Sequence, residues 1–385
     1  MLTWIAPLIV FGLVVLVHEL GHFLAARIVG VYAPRFSIGF GPALWRRRVG
    51  ETEYVLAALP LGGYVRMATR DDDALAAIEG GGEEIDPSKV KDWDPNAMKP
   101  FGPKPIPAHR WFDAKPLWAK LFVMVSGVAM NIILAIVVLS GLFAGYGRPY
   151  VPAVVDSVVA GRPAERAGLQ PGDSIVAVAG EEVASWADVV DRITASPGQP
   201  LELTVVRRGT QRTPITVTPE PVDAADPITG EAVVVGRVGA GPRDRLERER
   251  LGIGAAMAAG WNTTWMMTGL VVKVVGGLLT GRVSVNQLGG PIAIANSSVQ
   301  AARGGLEQLF RLVAFISVNL AVLNLLPIPI LDGGQMLLMI VETIKGSPFS
   351  LRARERIARV GVLAIALLFM LVMFNDLKRL LGFGP

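Results

Sequence analysis

The sequence predicts a polytopic α-helical membrane protein with four transmembrane helices, a membrane-associated β-hairpin and one extracytoplasmic α+β domain. Three observations carry that prediction. The 385-residue chain is 51% hydrophobic and only 18% charged, too apolar for an ordinary soluble enzyme. Four apolar segments, residues 5–28, 117–143, 309–327 and 357–374, match the roughly 20 residues a helix needs to cross a bilayer. Short alternating strands between the second and third segments read as a folded aqueous part.

The first element, residues 1–30, has no basic start and no clean small-residue cleavage pattern, so it reads as a retained helix. It carries His18-Glu19-Leu20-Gly21-His22. This His-Glu-x-x-His spacing puts two imidazoles one turn apart on one helix face, at roughly 6 Å of axial rise. Two neutral rings so spaced can share one zinc ion. A chance occurrence is the competing reading. It weakens inside an apolar run, where nothing cheap solvates three polar side chains.

Residues 31–70 follow. Here Glu53–Pro60 and Gly63–Met67 alternate as strands around a Pro/Gly turn, which predicts a membrane-associated hairpin. Residues 71–116 are rich in Gly, Pro, Asp and Glu and read as a flexible cytoplasmic loop. His109 in that loop reads as a solvent-exposed side chain. The second crossing is 117–143.

Topology follows from charge. Arg27, Arg35, Arg46, Arg47, Arg48, Arg66 and Arg70 come after the first helix, and Lys345, Arg352, Arg354, Arg356 and Arg359 precede the last. The positive-inside rule makes both regions cytoplasmic. The intervening residues 144–307 then lie outside, and only one crossing, within 308–334, can return the chain. The ambiguous apolar stretch 253–279, with Asn262, Thr263, Thr264 and Lys273, is accordingly an interfacial helix anchored by Trp261 and Trp265, inside a linker region 222–307. Residues 335–356 form a cytoplasmic loop and 357–377 the fourth helix.

A catalytic zinc usually takes three protein ligands and leaves one position open. The chain has no cysteine and three histidines, so the third ligand is sought among carboxylates. Asp332 ends the run Asn324-Leu325-Leu326-Pro327-Ile328-Pro329-Ile330-Leu331-Asp332-Gly333-Gly334. Two prolines break the helix there, and irregular backbone at membrane depth survives only where it is buried or lines a wet cavity. The alternative is a helix-capping Asp before a Gly-Gly turn.

These motifs together resemble the site-2 protease family of intramembrane zinc metalloproteases, peptidase family M50, and within it the bacterial regulator of sigma-E proteases. The resemblance rests on His18-Glu19-x-x-His22, on Asn324-x-x-Pro327-x-Pro329-x-Leu331-Asp332-Gly333 and on Gly127-x-x-x-Asn131. It extends to Phe36–Gly41, Leu59–Val65 and Phe374-Asn375-Asp376-Leu377. It implies one Zn2+ per chain held by His18, His22 and Asp332, with Glu19 as general base. It supports the hairpin as a substrate partner, with Gly62, Gly63 and Tyr64 at its turn. Asn131 and Asn324 either hydrogen-bond the substrate backbone or pin helices together. The family often has Gly-Pro where this chain has Gly127-Val128, and its best-known members carry two outer domains where one is read here.

Residues 150–221 resemble a bacterial PDZ domain in Pro163-Ala164-x-x-Ala167-Gly168-Leu169-x-x-Gly172-Asp173-x-Ile175. Such domains bind extended peptide ends between a strand and a helix. That groove is expected between the strand 151–158 (Val154, Val155, Val158) and the helix 186–194 (Val189, Ile193). Recognition of a trimmed substrate tail, a size filter and a plain spacer all stay open for it.

The function implied is regulated intramembrane proteolysis of a single-span membrane protein. An anti-sigma factor already cut on its outer side is the leading substrate, and remnant signal peptides are a further one. The enzyme is expected in the bacterial inner membrane, with the metal site toward the cytoplasm and the PDZ domain in the periplasm. Expected partners are the bilayer, the substrate and a peptide or protein tail at the PDZ domain. A net charge of +4 without a basic stripe gives no reason to expect nucleic acid. The alternatives are a catalytically inactive PDZ-bearing membrane scaffold, against which the intact Glu19 argues, and a metal transporter. A transporter would spread polar residues along a path rather than cluster them at one depth.

Overall fold

The structure is a computed structural model that describes residues 2–70, 93–207, 209, 211–226, 230–243, 245–284 and 289–381. In chain order, α1 (Leu2–Ile28) leads into β1 (Arg35–Val49), β2 (Thr52–Arg66) and α2 (Leu117–Tyr146). Then come β3 (Arg148–Tyr150), β4 (Val155–Val158), α3 (Pro163–Arg166), β5 (Ser174–Val178), β6 (Glu181–Glu182), α4 (Trp186–Thr194), β7 (Leu201–Arg207) and β8 (Gln211–Val217). They are followed by β9 (Glu220–Ala225), β10 (Ala232–Arg237), β11 (Ala240–Pro242) and β12 (Glu247–Glu249). The chain closes with α5 (Ile253–Leu279), α6 (Pro291–Arg303), α7 (Leu306–Asn324), α8 (Asp332–Lys345) and α9 (Leu351–Leu380).

Four helical stretches among the described residues are long and apolar enough to cross a membrane: Ile5–Ile28, Leu117–Tyr146, Leu306–Asn324 and Arg352–Leu380. They overlie the four predicted segments. The third ends at Asn324, short of Pro327, because Pro327 and Pro329 cannot continue a helix. The fourth is longer than its apolar stretch and starts where the Ser350 hydroxyl accepts the Ala353 N–H.

The described residues form two compact units. In the first, Met1–Ser140, Gly260–Val272 and Val285–Pro385, Val10 and Val14 of α1 pack with Val313 and Ile316 of α7 and Leu134 and Val138 of α2. Further along α1, Ala25 and Ala26 meet Val123 of α2. Gly21 marks the α1–α2 crossing. A Cβ there would lie 2.3 Å from the Ser126 carbonyl oxygen, so only glycine permits this approach.

The predicted hairpin is a more folded object than two strands. Arg35 to Ile38 of β1 pair on one side with Glu53 to Leu56 and on the other with Arg66 to Gly63, while Ala43 to Val49 return along Ala57 to Thr52. The doubling-back occurs at Gly39 and Gly41, both at positive φ. These glycines interrupt the alternation of β1, which is why no strand was predicted there. Phe36 and Tyr54 pack the patch onto Phe23 of α1.

The predicted flexible loop falls partly outside the described residues, at 71–92. Its remainder is docked rather than loose. Phe101 is buried under the Arg48 guanidinium. Arg110 makes a bidentate pair with Glu51 at 2.8 Å. His109 is exposed.

The second unit comprises Gly141–Ala259 and Lys273–Ser284. Its four-stranded sheet runs β6-β5-β7-β8, and α4 starts at a capping box between Ser185 and Asp188. The structure corrects the linker assigned to 222–307. That span contains four strands' worth of pairing, with β9 against β10, β11 against β4 and β12 against β3. Strand β11 pairs along one edge of β4 from beyond the boundary expected for the domain. Val155, Val189 and Ile193 are buried in the domain core, with Val158 packed against it; Val154 is half-buried. Val155, Val189 and Ile193 thus fill the interior, which corrects their assignment to an open groove, while Val154 and Val158 stay partly accessible. The missed signal was the turn at Gly239 (φ +77°), which lets a short strand beyond the assumed boundary pair with β4.

Candidate metal centre

Helix α1 brings His18 and His22 onto one face, and both are buried. Their Nε2 atoms lie 3.2 Å apart. Asp332, distant in sequence, opens α8. Its Oδ2 lies 3.2 Å from His18 Nε2 and 3.5 Å from His22 Nε2. Asp332 makes no cap hydrogen bond at the start of α8, where Leu331 is the N-cap, so the helix-capping alternative is not realised. The bend that presents it is held by close backbone packing. A Cβ on Gly333 would lie 2.2 Å from the Leu325 carbonyl oxygen, and one on Gly334 would lie 2.0 Å from that of Ile328.

The donor set fits a metal ion. Tetrahedral coordination with N and O ligands at 2.0–2.2 Å has ligand–ligand edges of about 3.3–3.6 Å, and the three observed edges fall at that size. Asp332 Oδ2 is buried with no well-directed hydrogen bond despite its proximity to both rings, an expensive arrangement unless something else engages it. Among the described residues these three side chains form the group whose ligand atoms converge within 4.8 Å.

Helix α2 lines the back of the centre with positions 123, 127 and 131, one face at four-residue spacing. His22 Nδ1 lies 2.9 Å from the Val123 carbonyl oxygen, which only a protonated Nδ1 can satisfy. In the neutral ring that leaves Nε2 as a lone pair facing the centre. Gly127 has no side chain where a Cβ would meet His22 Nε2 at 2.4 Å. Asn131 is completely buried, with its side-chain amide 3.3 Å from His18 Nδ1 and its backbone carbonyl accepting the Ser317 hydroxyl at 2.8 Å. The Asn131 amide thus faces the histidine.

The other sequence-predicted residues sit around the same centre. Asn324 is half-buried, its amide 3.1 Å from His18 Nε2. Gly63 of β2 faces Glu19, whose Cγ would lie 3.2 Å from a Cβ at that position. Gly62 is pressed against the Phe40 ring. Tyr64 stacks on Phe40 and its hydroxyl accepts from Arg35 at 3.4 Å. Arg35 itself is buried in an ion pair with Glu53 at 2.9 Å, a support for the strand patch that motif reading did not find, since a buried pair is invisible without its register.

Comparison with known proteins gives the same family that the motifs resemble. The model for peptidase family M50 matches residues 6–368. The regulator of sigma-W protease RasP of Bacillus subtilis is 32% identical, over 98% of this chain and 99% of its own length. The zinc metalloprotease RasP of Bacillus licheniformis is 31% identical over the same shares, and that of Geobacillus kaustophilus 31% over 97% of each. With the match running nearly end to end and four helices suited to a bilayer, the chain belongs to peptidase family M50 and is a membrane metalloprotease.

Proposed function

We propose that the chain is an intramembrane zinc endopeptidase that cleaves single-span membrane proteins. The observation that carries this reading is the triangle of His18 Nε2, His22 Nε2 and Asp332 Oδ2 on a helix suited to crossing a bilayer. Zinc held by those three atoms would polarise the scissile carbonyl and acidify a water. Glu19 Oε takes the proton of the attacking water and passes it to the leaving amine nitrogen. Asn324, beside His18, donates an amide N–H to the substrate carbonyl.

A helical substrate must be unwound before its carbonyls can react, since helical hydrogen bonds hide them. The segment Gly63–Arg66 pairs with β1 on one side, and its other edge has no ladder partner among the described residues. Strand addition there holds an extended substrate next to Glu19, with Gly62, Gly63 and Tyr64 forming the contact.

The second unit is a PDZ domain on this reading, extended to include β11. It receives a peptide or protein tail, or filters by size, on the periplasmic side of the bacterial inner membrane. The site opens toward the cytoplasm, and the four apolar helices are all crossings. The relative from Bacillus subtilis is named for a role in regulating sigma-W, which supports an anti-sigma-factor-like substrate, cut after a first cleavage outside.

The test is to purify the protein in detergent, measure bound zinc, and follow cleavage of a single-span substrate by wild type, Glu19→Gln and Asp332→Asn. Wild type binds about one zinc and cuts. Glu19→Gln binds zinc and loses at least about 10²-fold in rate. Asp332→Asn retains less zinc. Equal cutting by wild type and Glu19→Gln would remove the proposed base and favour the PDZ-bearing scaffold reading.

A further inference from the structure

We infer that Asn131 is a positioning residue that fixes the tautomer of His18, accepting a hydrogen bond from His18 Nδ1–H through its side-chain oxygen so that Nε2 is free to bind the metal. This rests on the zinc reading above and goes beyond it by assigning a function to a buried amide outside the ligand set.

The argument starts from an imbalance. With the Asn131 NH₂ group toward His18 Nδ1 at 3.3 Å, Nδ1 must accept, and the ring proton must sit on Nε2. Nε2, however, faces three other groups that crowd the centre, Asn324 Nδ2 at 3.1 Å and His22 Nε2 and Asp332 Oδ2 at 3.2 Å each. A proton there would block the metal. The same orientation leaves Asn131 Oδ1 buried without a hydrogen-bond partner, a costly arrangement. The two ends of an amide are interchangeable in shape, and which end faces a neighbour is decided by the hydrogen-bond network. Turning the amide over gives Oδ1 a donor and frees Nε2, and moves the NH₂ group to the side where Oδ1 had no partner. Oδ1 then accepts from Nδ1–H, and His18 Nε2 becomes a lone pair aimed at the centre.

The neighbouring ligand already follows this rule. His22 has its Nδ1 proton held by the Val123 carbonyl, so both histidines are oriented from α2, by positions two helical turns apart on one face. Metal-bound histidines generally donate their second ring N–H to such an acceptor. Ser317 completes the support. Its hydroxyl, buried on α7, donates to the Asn131 backbone carbonyl at 2.8 Å and fixes the height at which the amide meets the ring.

The test uses full-length protein in detergent micelles and measures zinc affinity by competition with a chelator, beside the ¹⁵N spectrum of labelled histidine. The chain has only three histidines, so their signals are separable. In the zinc-loaded wild type, His18 and His22 both show protonated Nδ1 and metal-bound Nε2. Asn131→Ala weakens zinc binding by about 10–100-fold. Asn131→Asp, which keeps the acceptor and discards the donor, restores affinity to within a few-fold of wild type. Equal zinc affinity of wild type and Asn131→Ala, or a His18 protonated at Nε2 in the loaded protein, would overturn the inference while leaving the zinc site standing. Absence of zinc binding in wild type would instead overturn the reading beneath it. The spectrum of the wild type decides the matter even if a variant does not fold.

Discussion

Gly127 lies against His22 with no room for a methyl group: a Cβ at 127 would sit 2.4 Å from His22 Nε2 and 2.9 Å from His18 Cε1. The backbone of α2 therefore forms one wall of the centre, and the missing side chain is what lets both rings keep their orientation.

Gly127→Ala should accordingly push the imidazoles out of register. The expected outcome is zinc affinity reduced by at least about tenfold, as for loss of an orienting contact, with cleavage falling in step. Gly141→Ala on the same helix is the matched control, because nothing lies within 4 Å of a Cβ there. Zinc content after dialysis, measured for both variants, checks the difference.

Gly63 plays the corresponding part on the strand side. A side chain at 63 would meet the Ser37 carbonyl oxygen at 2.8 Å and Glu19 Cγ at 3.2 Å. Gly63→Val should move the strand edge and the carboxylate by a large fraction of an ångström while leaving the histidines alone. A misplacement near 1 Å costs about 10²-fold in rate. The measurement is a cleavage assay run beside a zinc determination, and the variant should fail the first and pass the second. Zinc loss equal to that of Gly127→Ala would mean that the strand supports the metal rather than the base.

Much of this was legible in the sequence, and the reasons differ by element. His18 and His22 could be placed together because a helix fixes its own geometry, and Asp332 could be proposed because prolines 327 and 329 betray a broken helix. Neither inference needs a partner strand or helix. Asn131 shows the limit. Its spacing from Gly127 marks it as special, but whether it faces substrate or histidine depends on how α2 rotates against α1, which Gly21 and Ser126 decide. The same holds for β11 and the outer domain. Only three residues long, it has no periodicity to read, yet it pairs with β4 from beyond the expected domain boundary. Helix α6 was hidden for a similar reason, as its mixed composition reads as linker until Asp376 is seen to hold its start.

That contact makes a further prediction. Asp376 of α9 is buried, and its carboxylate accepts the N–H groups of Gly290, Ile292 and Ala293 at 2.9, 2.9 and 3.0 Å. It satisfies donors that the first turn of α6 would otherwise leave open, with charge favourable to the helix dipole. Asp376→Ala should loosen α6 by on the order of 3 kcal/mol, the scale of hydrogen bonds to a charged group. Hydrogen exchange over residues 291–303 should speed up accordingly. If those amides stay as protected as in the wild type, the clamp is not what holds the helix.

Asp173 in the outer domain predicts a pH dependence. Burial alone would push its carboxyl up, but Arg207, bonding Oδ1 and Oδ2 at 2.7 Å each, and the Gln170 N–H outweigh this and hold it below the usual carboxylate range. A carboxylate whose pKa is lower folded than unfolded contributes stability that is fully present above the unfolded value and is lost as pH falls through the folded one. The unfolded value is about 3.9, so the contribution is intact at neutral pH, begins to fade below about pH 4 and vanishes only at still lower pH. Asp173→Asn removes the charge at every pH, leaving Arg207 without its partner. In full-length protein, hydrogen exchange of β5 and β7 should therefore be faster in Asp173→Asn than in wild type at pH 7, after correction for intrinsic rates. The gap between the two should narrow as the pH is lowered below 4. A gap that persists unchanged down to pH 2 would mean that Asp173 supports the sheet through its shape and neutral hydrogen bonds, and that its charge contributes nothing.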